Sequence, residues 1–215
     1  MPTVIPFHTE PDETTYSAIA THLIAGGVMA IPTESSYALA ASPFHLEALH
    51  SVVRIKGRAD DKPLLVLIGE VDQMRLLVET VPPAAEVLMR SFWPGPLTLV
   101  LPARLFLSRL LTAGSGSVGV RLPAYPLLRR LLVRVGPLTG TSANRSGQSA
   151  LCTADEVSAI LRDDIQMILD AGSTPGGMPS TIIDARAPVR MIREGAVSRA
   201  AVASVLHRAG CELSP

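Results

Sequence analysis

No apolar stretch of this chain runs far before a Pro, Gly or Arg interrupts it, and that punctuation limits the fold more than any other feature. With 18 prolines and 16 glycines in 215 residues, the apolar segments come out as short strands or single helix faces. A membrane helix needs ~20 consecutive apolar residues, which this pattern does not offer. Yet 47% of the residues are hydrophobic and 18% charged, so the chain buries a sizeable core and is not disordered.

Along the chain, apolar residues at Tyr16, Ala20, Leu23 and Ile24 predict a helix over 12–25, with Asp12 or Thr14 as cap and Gly26-Gly27 as stop. Strands are expected at 28–31 and 37–41, then a helix over 46–55 ended by Gly57, and a strand at 64–68. Helices follow at 71–79 and 83–91, the latter opened by Pro82-Pro83. Strands at 97–101 and 117–122 flank a Gly/Ser turn. The remainder reads as a helix at 125–133, a strand-like approach to Thr139, a helix at 153–161, strands at 165–169, 181–184 and 189–192, and a closing helix at 198–207. Residues 171–179 read as a flexible run. No repeat or long linker divides the chain, so a single domain spanning 1–215 is expected. Strands and helices do not alternate strictly, which predicts an α/β (α+β) architecture with an open mixed sheet, not a Rossmann or barrel fold.

The charges balance, 19 basic against 19 acidic, so no global pull toward nucleic acid or anionic lipid is expected. The N-terminus, Met1-Pro2-Thr3-Val4-Ile5-Pro6, lacks a basic region and is followed by Glu10, Asp12 and Glu13, which reads against a signal peptide. Cys152 and Cys211 stand far apart, outside any CxxC pattern, and read as reduced thiols. A cytoplasmic location without membrane contact is the expectation. His8, His22, His45, His50 and His207 form no HExxH pattern, so no metal site of protein ligands is expected; His45 and His50 read as surface residues. Neither a GxSxG nor a Cys–His signature suggests covalent catalysis.

The basic residues are 17 arginines and two lysines, and the lysines fall within seven positions of each other, at Lys56 and Lys62. Arg54 and Arg58 accompany them. An ammonium is a compact point charge and a guanidinium a planar fork, so this segment suits a polyanion that needs both. Spacing alone leaves a second reading open, a solvated helix-to-strand loop. Thr139–Gly147 offers small hydroxyl and amide groups at a strand end, suited to phosphate or carboxylate; in isolation an ordinary polar turn with a helix cap is the favoured reading. Pro32–Tyr37 places hydroxyls beside Glu34 between two apolar strands, which suits a small zwitterion or plain strand-end capping. Arg121 ends a strand where it can take a carboxylate bidentately, although a surface ion pair is the commoner fate. Trp93, the one Trp, reads as core or pocket wall. Ser180 and Arg193 repeat the theme of a small hydroxyl and an Arg beside glycine.

In order, Lys56-Gly57-Arg58 with Lys62-Pro63-Leu64, Trp93-Pro94-Gly95-Pro96-Leu97-Thr98, Val118-Gly119-Val120-Arg121-Leu122-Pro123, Ser142-Ala143-Asn144-Arg145-Ser146-Gly147, Ser180-Thr181 and Arg193-Glu194-Gly195 resemble the YrdC-type threonylcarbamoyl-AMP synthases (YrdC/YciO-like) in their short form. The likeness runs from about residue 28 to 195, and the family's KxR…SxN set is matched by Lys56, Arg58, Ser142 and Asn144. The resemblance implies a YrdC-like open twisted mixed sheet with helices around a large positively charged cavity. It implies a nucleotidyltransferase that makes L-threonylcarbamoyl-AMP and pyrophosphate from L-threonine, bicarbonate and ATP, with Mg²⁺ accompanying the nucleotide. The product would serve tRNA processing, the threonylcarbamoyladenosine modification beside the anticodon, through partner proteins and with RNA or tRNA as a further candidate ligand.

Residue by residue, the resemblance implies Lys56 and Arg58 as catalytic groups and Arg58, Lys62, Ser117, Ser142, Asn144 and Arg193 as ATP-binding. Ser35, Arg121 and Ser180 would hold threonine. The chain departs from the family at Ser36, where an apolar residue is usual, and at Ala38, where Gly is usual. The resemblance therefore carries ATP binding further than threonine specificity. A YciO-like paralogue acting on another substrate and an RNA-binding module without turnover are the alternatives.

Overall fold

The computed structural model describes residues 1–57 and 63–214, so Arg58 and Lys62 lie outside the described residues. In chain order the first elements are β1 (Thr3–Pro6), α1 (Glu13–Ile24), β2 (Met29–Pro32), β3 (Tyr37–Ala40) and α2 (Leu46–Lys56). Then come β4 (Leu65–Leu67), a 3-10 turn at Val71–Leu76, α3 (Pro83–Phe92), β5 (Leu97–Pro102), α4 (Arg109–Thr112) and β6 (Ser117–Arg121). The C-terminal part adds α5 (Pro126–Val135), β7 (Leu138–Thr139), β8 (Thr141–Ser142) and α6 (Ala154–Leu161). It closes with β9 (Met167–Asp170), β10 (Thr181–Asp184), β11 (Arg190–Arg193) and α7 (Arg199–Arg208).

These strands form two mixed sheets, one in the order β1-β9-β2-β3-β8 and the other β11-β10-β5-β6-β4-β7. β2 is buried at every position, as an apolar strand covered on both faces must be. Val28 and Ala30 pack with Val52 and Val157, whereas Met29 and Ile31 pack with Ile19, Leu128 and Leu132. The sheets meet along 138–142. Leu138 and Thr139 pair with β4, and Thr141 and Ser142 pair with β3. Between them the Thr139 hydroxyl accepts from Ala41 N at 3.0 Å and donates to Leu39 O at 3.2 Å. Gly140 sits at this bend because a Cβ there would come 2.4 Å from Leu67 Cγ.

Local signals explain the helix limits. Asp12 caps α1 by accepting from Thr15 N at 2.8 Å. Gly57 ends α2 in the left-handed region at φ 57°, where a Cβ is disfavoured. His45 is no free surface group: it caps α2, its Nδ1 accepting from Ala48 N at 3.3 Å. The expected helix at 71–79 is a correction. Only a 3-10 turn forms, because Gln73 turns inward, donating to Leu132 O at 2.7 Å and accepting from Gly69 N at 2.8 Å. Val78 then bridges to Ala103 and the chain leaves helical geometry. The run 171–179, read as flexible, is tied down: Tyr37 Oη donates to Gly172 O at 2.8 Å, Thr174 N to Cys152 O at 2.8 Å and Gly176 N to Ser35 O at 2.7 Å. Among the described residues no helix is long and apolar enough to cross a membrane.

Candidate functional site

Two groups of polar residues are assembled from segments distant in sequence, and the loop 33–36 adjoins both. The first forms where α2 ends against β8. Lys56, 5% exposed, directs its ammonium at Ser142 O (2.7 Å), Asn144 O (2.5 Å) and Asn144 Oδ1 (2.8 Å), with Ser142 Oγ at 3.4 Å. Ser142 Oγ donates to the same Asn144 Oδ1 at 2.5 Å. The main chain closes the ring, Ser146 N donating to Lys56 O at 2.8 Å. An ammonium has three donors, and here they fix the backbone of the Ser142–Asn144 turn.

Ser117 belongs to the same end of the second sheet. β4 and β6 run parallel with Leu65 beside Gly119, and continuing that register sets Ser117 beside Pro63, where the described chain resumes. Ser117 is buried, its hydroxyl 2.8 Å from that of Ser115. Arg121 closes the same strand about 13 Å further along, at about 3.3 Å per residue.

The second group is a cross-strand row. Ile182 pairs with Arg193 on one side and with Thr98 on the other. Carrying the Leu99–Val120 register one residue on sets Thr98 opposite Arg121. Thr98 Oγ1 and Ser180 Oγ, both buried, lie 2.9 Å apart. Arg193 donates from Nε and Nη2 to Ser180 O at 3.2 and 2.8 Å. Partial burial, and then the charge of Arg121, lower the pKa of Arg193 from its ordinary value. Two guanidinium groups close enough to repel make this row attractive to an anion.

Arg121 already holds one. Its side chain is only 5% exposed and its Nη2 donates to Glu34 Oε1, while Nε donates to Gly95 O at 3.2 Å. The same Glu34 oxygen accepts from Ala124 N at 3.0 Å, but Glu34 Oε2 is buried without a hydrogen-bond partner among the described residues. The sequence singled out Arg121, and Glu34 as part of the polar loop 32–37, but not the pairing of the two, and it assigned Thr98 no role. The signal for Glu34 was present: a carboxylate within a run of hydroxyls, between two strands too apolar to need it.

Loop 33–36 is rigid in its backbone. Thr33 Oγ1 donates to Ser36 O at 2.7 Å and accepts from Ser35 N and Ser36 N at 3.2 and 3.3 Å. Ser35 Oγ lies 3.1 Å from Thr33 Oγ1. Immediately after the loop, Tyr37 O accepts from Ala143 N at 2.8 Å and Ala38 pairs with Ser142. Thus Glu34 reaches the arginine row while its neighbours brace the Lys56 turn. Among the described residues, no cluster of His, Cys, Asp and Glu is arranged to hold a metal ion. Trp93 donates from its indole to Leu97 O at 2.7 Å and walls a separate cleft of about 910 Å³ with Met74, Met89, Arg104 and Leu122.

Comparison with known proteins gives a consistent result. A family model covering Sua5, YciO and YrdC, described as "Telomere recombination", matches residues 21–195. The chain is similar to threonylcarbamoyl-AMP synthase of Pyrococcus abyssi, 38% identical over 160 residues, 74% of this chain and 47% of that protein. It is 37% identical over 191 residues to a putative threonylcarbamoyl-AMP synthase of Mycobacterium leprae, covering 88% of this chain and 86% of that one. The chain thus spans about half the length of the archaeal relative. Among solved structures, Pyrococcus abyssi Sua5 complexed with L-threonine superposes with a TM-score of 0.89 at 32% identity, over 99% of this chain and 63% of that one. Escherichia coli YciO superposes with a TM-score of 0.81 at 25% identity, over 91% and 97%.

Proposed function

Because the chain belongs to the Sua5/YciO/YrdC family, we propose that it is an ATP-dependent enzyme that forms L-threonylcarbamoyl-AMP from L-threonine, bicarbonate and ATP, releasing pyrophosphate. The observation that supports this most is the convergence of Lys56 on Ser142 and Asn144 from 86 and 88 residues away. Such a turn, drawn tight by an ammonium at the end of α2, keeps small polar groups at a strand end close to Lys56.

In this reading Lys56 and Arg58 are the catalytic cations, and Arg58 and Lys62 carry the phosphates. Ser117, Ser142, Asn144 and Arg193 complete the nucleotide contacts. Ser35, Arg121 and Ser180 hold threonine, with Arg121 on the α-carboxylate. The donor set, hydroxyls, an amide and cations, fits a polyanion, and among the described residues there is no carboxylate cluster of the kind a resident metal would need. Mg²⁺ would arrive with the nucleotide and neutralise phosphate charge. A carbamate must approach the α-phosphorus of ATP, so the protein's contribution is charge neutralisation and alignment of two anions. The whole site is built within one domain. The product passes to tRNA-modification partners in the cytoplasm.

The test is direct. Incubate the protein with Mg-ATP, bicarbonate and single amino acids, and measure pyrophosphate. Release that depends on L-threonine and on Arg58 supports the proposal. Release with another amine assigns a YciO-like activity, and tight RNA binding without release assigns a binding module. Arg58→Ala turning over at wild-type rate removes the phosphate assignment.

A further inference from the structure

We propose that Glu34 is the residue that recognises the α-ammonium of the amino-acid substrate, freed for that task when the substrate's α-carboxylate takes its place on Arg121. The inference rests on the reading of Arg121 as the carboxylate anchor. It starts from an asymmetry in one side chain. Glu34 Oε1 is held twice, by the Arg121 guanidinium and by Ala124 N. Oε2 is buried and has no hydrogen-bond partner among the described residues. A buried carboxylate oxygen without a donor is unfavourable, so this arrangement is one that a ligand bringing N–H donors improves.

Arg121 is closed in the same state, 5% exposed, so a substrate carboxylate reaches it only by replacing the one already there. The replacement conserves charge. Before it, Arg121 pairs with Glu34; after it, Arg121 pairs with the substrate's carboxylate and Glu34 with the ammonium next to it. Arg193, the other cation of the row, is bonded to Ser180 O and cannot serve an ammonium. Glu194 faces away, accepting from Arg199 N at 2.7 Å.

The loop allows the exchange without opening. Thr33 Oγ1 pins the backbone at Ser35 and Ser36, and Gly176 N pins Ser35 O at 2.7 Å. Only the Glu34 side chain has to rotate. A short acidic side chain on a fixed backbone, next to the site of an α-carboxylate, then selects α-amino acids over acids lacking the amine.

Calorimetric titration with L-threonine and with 3-hydroxybutanoate, which keeps the carboxylate and hydroxyl but lacks the amine, tests this. Wild type is expected to prefer threonine by about tenfold or more, a difference of about 1.4 kcal/mol per factor of ten. Glu34→Gln abolishes that preference while leaving 3-hydroxybutanoate as tight or tighter. Equal weakening of both ligands makes Glu34 a structural residue and overturns the proposal. Tightening of both makes it a mere competitor for Arg121 and also overturns it. If wild type binds neither ligand, the carboxylate reading of Arg121 fails at that earlier step.

Should Glu34→Gln not fold, Glu34→Asp keeps the charge and is expected to retain the preference at reduced affinity; an Asp variant without preference counts against the assignment. Hydrogen exchange supplies an independent readout in the wild type. Saturating threonine should speed exchange of the Ala124 amide as Oε1 leaves it, and unchanged protection in a threonine-bound protein overturns the exchange.

Discussion

Lys56 Nζ lies 2.5 Å from Asn144 O and 2.8 Å from Asn144 Oδ1, so one ammonium holds both the main chain and the side chain of a residue 88 positions away. Lys56→Met keeps the apolar stem but takes the ammonium from Asn144 O and Ser142 O, leaving Asn144 Oδ1 to the Ser142 hydroxyl alone; a buried acceptor left unpaired costs about 1–3 kcal/mol. Chemical denaturation should show a loss of about 2–4 kcal/mol, together with pyrophosphate release reduced by about tenfold or more. Lys56→Arg should fail similarly, since a planar fork does not converge on a point as an ammonium does. Wild-type stability in the Met variant would contradict this account.

Gly195 packs against backbone. A Cβ there would stand 2.2 Å from Pro179 O, 2.7 Å from Ser180 C and 2.8 Å from Thr181 N. None of these is a side chain that can swing away. Gly195→Ala should therefore cost about 3 kcal/mol, at the upper end for overpacking. If Ser180 holds threonine as proposed, its displacement should also raise the KM for threonine, measured by pyrophosphate release.

Thr98 and Ser180 share a buried hydroxyl pair at 2.9 Å. Thr98→Val preserves shape and removes one hydroxyl, a change worth about 1 kcal/mol for a neutral hydrogen bond. If this row binds threonine, its KM rises while that for ATP changes little. An equal rise in both would place Thr98 outside the amino-acid site.

Burial pushes the Tyr37 phenol up to about 12, and burial with a hydrogen bond to Glu10 does the same for Tyr16. Both are raised above the ~10 of an unfolded Tyr, so the native state holds these protons more tightly. The stability they contribute is complete below about pH 10 and is lost as pH rises toward 12, by up to about 1.4 kcal/mol per pH unit for each group. Denaturation midpoints at pH 9, 10 and 11 should fall, and Tyr37→Phe should flatten the fall without removing the part due to Tyr16.

Much of this architecture was legible in the sequence because its signals are local. The Asp12 cap, the Gly57 stop and the Pro83 start set helix ends without tertiary help, and the short apolar runs at 29–32 and 97–102 are strands. β1 was not seen, since two prolines and an exposed pattern disguise an edge strand that pairing with β9 alone creates. α4 is a single turn, too short to show a period. The helix at 71–79 was lost to Gln73, whose inward hydrogen bonds no periodicity reveals.

The candidate site divides in the same way. Lys56, Ser142 and Asn144 were named from composition and wording, and the structure brings them together. Thr98 was invisible because its role exists only across β5, β6 and β10. Glu34 was legible as the carboxylate of a polar loop, but its pairing was not, because its partner, Arg121, is 87 residues away.

The seam at 138–142 has a kinetic consequence. This segment gives its first half to one sheet and its second half to the other, so neither half can complete its pairing before both sheets have a free edge to offer. The Lys56 ring and the Glu34–Arg121 pair close over the same junction from 86 to 88 positions apart. Contacts of such wide separation are entropically expensive to close early. The Ser142–Asn144 turn is thus a late-forming region, and substitutions at Lys56 or Thr139 should accelerate unfolding while leaving the folding rate nearly unchanged.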